Sequence, residues 1–366
     1  MKFKKTSLAL LALIFVLIVA LGSFSCTQPT TPTETPEPTE TPKPTETPVE
    51  PIELIFNNPW PPTHWLAADV VDPLWIPEVE KITDGRVKII AYHGGSLSKG
   101  AEVWEGTLAG RWDLGFWYPP YKEEFFPKTC LTTLPFVVPN YDKATELDQE
   151  FIPKKCLEEE WSEVVLCGIF SSDTYVLWSN EEVKTLDDLK GMKIRIPAKG
   201  WVDIIEAWGA VPVSISSSEM YSALDKGIVD AVFYPFTGGY GYKLQEVADY
   251  IIQVGSPTGS APTSIIMNKE SFEALPQDLQ KIFAEEVPLF THKMASDVIK
   301  QESGPMWEEL EKTNNVYYLP KDEMAKWKDS VMFIWDKRVD DLNEKGLPGQ
   351  KWMDEFQDTL KDMGLS

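Results

Sequence analysis

Histidine is scarce in this chain of 366 residues and basic residues are outnumbered. There are three histidines, and 34 lysines and arginines face 57 aspartates and glutamates, for a net charge of −23 at pH 7. Such acidity disfavours nucleic acid or an anionic membrane surface as partner, and it means that an anionic ligand needs a local cation. His64, His93 and His292 form no His-x-x-x-His pattern and the four cysteines no Cys-x-x-Cys pattern, so nothing supports a zinc site. A Gly-x-Ser-x-Gly elbow and a phosphate loop are also absent, and Gly94-Gly95 lacks the third glycine of a dinucleotide fingerprint. Paired carboxylates prove little in so acidic a chain, and Glu102 and Glu219 have a sufficient role complementing the dipole of a helix's first turn. No catalytic residue, metal or cofactor is assigned, and no enzyme is expected. With Cys26 set aside, Cys130, Cys156 and Cys167 remain, an odd number in which at least one buried free thiol is expected.

What is present begins with an export pattern. Lys2, Lys4 and Lys5 precede an apolar run at 8–21 that is too short and wrongly flanked for a membrane span, and then the small-residue stretch Gly22-Ser23-Phe24-Ser25-Cys26. Residues 1–25 are therefore expected to be a signal peptide. A cysteine at this place is where bacterial lipoproteins are cleaved and acylated, which makes Cys26 the expected lipid anchor and gives an extracytoplasmic location, periplasmic or cell-surface. Ser23 stands where the lipoprotein signal prefers leucine, and an ordinary signal peptide with Cys26 incidental is the alternative. Residues 26–51 are rich in Pro, Thr and Glu without an aromatic residue, a composition that cannot bury a core and that proline keeps extended as a stalk.

Beyond residue 52 two segments overlay without a gap. Glu102, Trp104, Gly110, Asp113, Phe116 and Trp117 match Glu219, Tyr221, Gly227, Asp230, Phe233 and Tyr234 in spacing. Each copy reads as helix, stop and strand. A capping box of Ser216 with Glu219 is expected for the later helix and a start near Ser98 for the earlier one, with Gly110 and Gly227 as left-handed stops. Strands are expected at 112–117 and 229–234, and before each helix at 87–92 (VKIIAY) and 192–196 (MKIRI). Strand–helix–strand units are typical of parallel sheets, whose ligands sit beyond the carboxyl ends of the strands. Those ends hold Trp117-Tyr118-Pro119 and Tyr234-Pro235-Phe236, with Arg195 near another. Core packing is accepted for Phe116 and Phe233, whereas Trp117, Tyr118 and Tyr234 are expected at a cleft. Arg195, between Ile194 and Ile196, is either paired with an acidic residue or aimed at a ligand, and the pattern alone leaves the two readings even.

At these residues the chain resembles the substrate-binding proteins of TRAP transporters, of the DctP type, which deliver organic acids to a membrane permease. Residues 186–197 (LDDLKGMKIRIP) resemble the family's DLKGxKxRxP stretch, and GAVPV at 209–213, SEMYSAL at 218–224, GIVD at 227–230 and LPQDLQ at 275–280 follow in the family's order. The resemblance implies an α/β, two-lobed periplasmic-binding-protein-like fold with a ligand cleft between the lobes. It gives a first lobe of 52–172 and 261–300 and a second of 173–260 and 301–366, with hinge crossovers near 171–174 and 256–262. It also implies Arg195 as the residue that pairs with the ligand carboxylate, and a TRAP-type permease as partner. Tyr175 stands where many members have a second arginine, Tyr234 where many have asparagine, and Trp117 and Tyr118 replace a short polar segment. Aromatic walls with one anion anchor imply an aromatic or otherwise apolar monocarboxylate. Trp60 and His64 are candidates for the other wall, and Trp307, Trp327 and Trp335 for helices bracing both lobes. The rival classes are an extracellular hydrolase or lyase using cleft carboxylates, and a tethered adhesin.

Overall fold

The computed structural model describes residues 50–255 and 259–365. The expected signal segment, Cys26, the stalk up to residue 49 and positions 256–258 of the second crossover lie outside the described residues. Eleven strands are described: β1 (Ile52–Asn57), β2 (Val87–Tyr92), β3 (Leu114–Trp117), β4 (Val164–Ser171), β5 (Tyr175–Ser179), β6 (Lys193–Ile196), β7 (Val211–Ser214), β8 (Ala231–Pro235), β9 (Tyr250–Gln253), β10 (Pro262–Asn268) and β11 (Asn315–Tyr318). They form two sheets, ordered β2-β1-β3-β10-β4 and β11-β9-β5-β8-β6-β7, one in each of two α/β lobes.

Each sheet is mixed rather than parallel throughout. β1, β2 and β3 run parallel and so do β6, β7 and β8, but β10 joins β3 and β4 antiparallel, and β5 joins β8 and β9 antiparallel. The parallel trios share one topology, with the first strand in the middle and the third opposite the second. The strand before the later helix is thus β7, not the 192–196 strand, which begins its trio. β7 escapes a reading by apolar runs because it has four residues, includes Pro212 and lies half-exposed at the sheet edge, where proline costs no ladder bond.

The repeated Gly and Asp have a shared physical role. Gly110 and Gly227 take φ of +62° and +64°, the left-handed conformation that ends a helix and that a Cβ disfavours. Asp113 then accepts from the Ile55 N–H of β1 through Oδ2 at 2.7 Å, and Asp230 accepts from the Lys193 N–H of β6 at the same distance. Each carboxylate thereby locks the third strand of its trio onto the middle one. The helix starts differ from expectation. Ser98 accepts from Asn57 instead, and the earlier helical turn follows Lys99, whose N–H donates to Glu102 at 3.2 Å. The Ser216 hydroxyl bonds the Glu219 carboxylate and makes no bond to the helix backbone.

The chain crosses between sheets from β4 to β5 and from β9 to β10, and the two crossovers lie side by side, with the Ser172 N–H donating to the Ala261 carbonyl at 2.9 Å. A third tie is the 27-residue helix Val287–Thr313, about 40 Å long at the usual rise. Its start packs on the first lobe, where Trp75 donates to Thr291 at 2.8 Å, and its end stacks Trp307 on Phe236 of the second. Trp327 packs on Trp208 of the second lobe, while the Trp335 indole donates to the Pro135 carbonyl of the first. The last helix, Gly349–Asp362, returns to the first lobe, with Phe356 against Phe151 and Glu355 paired with buried Lys128, away from the expected grouping of 301–366 with the second. Cys130, Cys156 and Cys167 are all buried free thiols.

Candidate functional site

Arg195 stands in β6, whose alternation and position between β7 and β8 bury it completely. Its Nε donates to the Ile215 carbonyl at 2.9 Å and its Nη2 to the Ser217 hydroxyl at 3.0 Å. Among the described residues Nη1 has no hydrogen-bond partner and no carboxylate is paired with this guanidinium. A buried guanidinium with an open amino group is an expensive arrangement unless an anion completes it. The ring of Tyr234 stands beside it, 5.1 Å from centroid to guanidinium.

Donors gather around that open group. Tyr121 is delivered by the turn Pro119–Lys122 directly after β3, and Gly100 makes room for it, since a Cβ there would stand 2.8 Å from the tyrosine ring. Burial raises the pKa of Tyr121, a rise opposed by the nearby Arg195 charge. Burial also raises Tyr234, and the same charge opposes it. Both phenols therefore stay protonated at neutral pH and available as donors. Arg195, Ser217, Tyr121, Trp60, Pro197 and the exposed Lys99 line an outer chamber of about 330 Å³.

A smaller inner chamber of about 30 Å³ adjoins it, sharing Trp60, Tyr121 and Pro197, with His64, Tyr118, Tyr175 and Tyr234 deeper in. His64 stacks on Trp60 with ring centroids 5.3 Å apart, and its Nδ1 accepts from the Leu66 N–H at 3.3 Å. Desolvation pushes its pKa down to about 3, so it is neutral. Neither chamber is lined by an aspartate or a glutamate. The described residues also contain no cluster of His, Cys, Asp and Glu able to hold a metal.

Six of the eight sequence-predicted ligand residues come together here: Arg195, Tyr234, Tyr175, Tyr118, Trp60 and His64. Trp117 does not. It is fully buried against Trp104 and Phe126, because alternation along β3 turns it to the face covered by the helix Val103–Leu108. Phe236 does not either. It is sandwiched between Trp307, at 3.7 Å between centroids, and Trp178, as part of the second lobe's core. Phe116 and Phe233 are core residues as expected. Tyr121 and Ser217 were not among the sequence candidates. A turn beginning Pro119-Pro120 and a serine run before a helix signal structure more than they signal a site.

Residues 56–341 match the family of bacterial extracellular solute-binding proteins, family 7, known as DctP. The C4-dicarboxylate-binding periplasmic protein DctP of Rhodobacter capsulatus is 24% identical over 284 residues, covering 74% of this chain and 82% of that one. A monocarboxylate 2-oxoacid-binding periplasmic protein of Nostoc sp. is 25% identical, over 56% of this chain and 57% of that one. Among solved structures, a TRAP solute binding protein from Rhodoferax ferrireducens in complex with copurified benzoate superposes with a TM-score of 0.78 at 22% identity, covering 85% of this chain and 98% of that one. Another, from Bordetella bronchiseptica with bound (R)- and (S)-mandelate, gives 0.75 at 23% identity, covering 86% and 100%. At such identity these structures share the fold.

Proposed function

The chain belongs to the bacterial extracellular solute-binding proteins of family 7, the DctP type of TRAP transporters, and from that membership we propose that its cleft captures a monocarboxylate with an aromatic or otherwise apolar body. The observation that carries this reading is the open Nη1 of Arg195, fully buried and facing no carboxylate among the described residues. A ligand carboxylate there accepts a charge-assisted hydrogen bond, with Ser217, Tyr121 and Tyr234 as neighbouring donors. The body of the ligand then lies against Trp60, Tyr121 and Pro197. A chamber of about 330 Å³ is of the size that encloses small ligands, commonly about 300 Å³ upward. A second carboxylate has only exposed Lys99 to meet at the rim. Benzoate and mandelate in the similarly folded proteins agree with this class.

The lobes close by bending at the paired crossovers, 171–174 and 256–262, and deliver the ligand to a membrane permease. Acylated Cys26 and the stalk at 26–51 keep the receptor near that permease. Mass spectrometry of the mature N-terminus tests the anchor, and a peptide starting at unmodified residue 27 or elsewhere overturns it. Thermal-shift titration with a panel of organic acids tests the ligand class. Aromatic monocarboxylates raise Tm in proportion to their occupancy. Stabilisation by succinate or malate with none by aromatic acids overturns the reading.

A further inference from the structure

The inner chamber is lined by no charged side chain, yet it is not apolar. The Tyr118 hydroxyl, from the loop after β3 in the first lobe, lies 2.9 Å from the Tyr175 hydroxyl, at the start of β5 in the second. Ser172 and Thr263 also face the chamber, and the nearby His64 is neutral. Two phenols carry two protons, and the bond between them uses one. Among the described residues neither hydroxyl makes another hydrogen bond, so one donor and spare lone pairs stay open beside the cavity. Burial raises the pKa of both phenols far above neutrality, which keeps both protons in place.

We propose that the Tyr118–Tyr175 pair is a subsite for one neutral oxygen of the ligand, a hydroxyl or carbonyl carried on its body away from the carboxylate. This deepens, and rests on, the monocarboxylate reading of the outer chamber. Size sets the first limit. The chamber's 30 Å³ exceeds the roughly 10–15 Å³ that one water needs yet is about a tenth of the outer chamber's 330 Å³, so it admits a small oxygen-bearing substituent and not a ring. Chemistry sets the second. A carboxylate in this chamber is desolvated without a counter-charge, and a methyl group leaves the open phenol donor unpaired. A neutral oxygen avoids both costs. The shared walls, Trp60, Tyr121 and Pro197, let one ligand reach Arg195 from the outer chamber and the tyrosine pair from the inner one. Because Tyr118 and Tyr175 come from different lobes, an oxygen held between them also ties the lobes in the closed state.

The test compares dissociation constants by calorimetry for benzoate and phenylacetate against their ring-hydroxylated series, in wild type and in Tyr118→Phe and Tyr175→Phe. In the wild type at least one hydroxylated acid is preferred over its parent by about tenfold, the scale of a buried hydrogen bond whose loss leaves a donor unpaired. The preference drops below about threefold in either phenylalanine variant, whatever happens to the parent acid's own affinity. Equal binding of every hydroxylated acid and its parent in the wild type overturns the proposal. So does a preference that survives both substitutions unchanged. If neither an aromatic acid nor an apolar aliphatic monocarboxylate binds, the monocarboxylate reading fails and takes this subsite with it. If the parent acids bind but hydroxylation confers nothing, only the subsite fails.

Discussion

The Arg195 guanidinium lies 5.1 Å from the centre of the Tyr234 ring, held by Ile215 and Ser217 and open on Nη1. The aromatic face stabilises the cation without occupying its hydrogen-bonding edge. A cation held this way has its orientation fixed and its partner still to come, which is how a binding residue differs from a structural one.

Replacing Arg195 separates the two roles. Arg195→Met weakens carboxylate binding by about a hundredfold or more, as expected for losing charge-assisted hydrogen bonds. The ligand-free variant melts within a few degrees of wild type or above it, because an unpaired buried charge contributes little to stability. Calorimetry and ligand-free thermal melts check both. Undiminished binding, or collapse of the fold, assigns Arg195 to structure.

Lys99 is the other cation at the cleft, exposed at the rim and without an ion pair among the described residues. In a chain of net charge −23, an approaching anion is repelled by the protein at large. Lys99→Gln therefore slows association by about two- to fivefold at low ionic strength, leaves dissociation unchanged, and loses its effect near 1 M salt, where screening acts within about 3 Å. Stopped-flow tryptophan fluorescence over a salt series reads this directly. A change confined to the dissociation rate refutes it.

The two lobes meet closely at Gly241. The Thr63 hydroxyl donates to the Gly241 carbonyl at 2.6 Å, and a Cβ on Gly241 would stand 2.8 Å from the His64 Cα. Gly241→Ala holds the lobes apart, weakens ligand binding by about tenfold, and enlarges the radius of gyration in X-ray scattering with ligand present. A liganded variant that is as compact as wild type and binds as tightly removes this contact from the closing motion.

The lobe framework was legible where sequence and packing ask for the same thing. β2 occupies 87–92, as its apolar run requires, and the Gly–Asp echo marks two trios of one topology because Asp113 and Asp230 make the same strand-locking bond. Legibility failed where a face had to be chosen. Period-two alternation says that Phe116 and Trp117 point oppositely, but not which side meets the cleft, so Trp117 was expected there and lies in the core. Tyr121 enters the chamber of Arg195 from a turn, and no periodicity marks a turn residue as a lining one. Phe236 begins a helix whose ring-on-ring contact with Trp307 spans 71 residues of sequence and leaves no local signal.

Two buried carboxylates fasten the crossovers, Asp148 from the helix Tyr141–Phe151 and Asp173 from the first crossover itself, and these give the protein a pH-dependent stability of definite sign. Asp148 accepts from the Ser260 hydroxyl of the second crossover at 2.6 Å, and burial pushes its pKa up to about 8. Asp173, in the first crossover, accepts from the Thr237 N–H at 2.7 Å and is raised by burial to about 7. Each folded pKa lies above the unfolded value of 3.8, so the folded state holds the proton more tightly. Their stabilising contribution is complete below pH about 4 and is lost as pH rises through 7 to 8. Asp148→Asn keeps an oxygen for Ser260 and removes the ionisation. It therefore melts several degrees above wild type at pH 8.5, and the gap narrows steadily as pH falls and closes near pH 4. A gap that widens towards acid means that Asp148 is ionised in the folded state, and that the second crossover is fastened by a carboxylate rather than by a protonated acid.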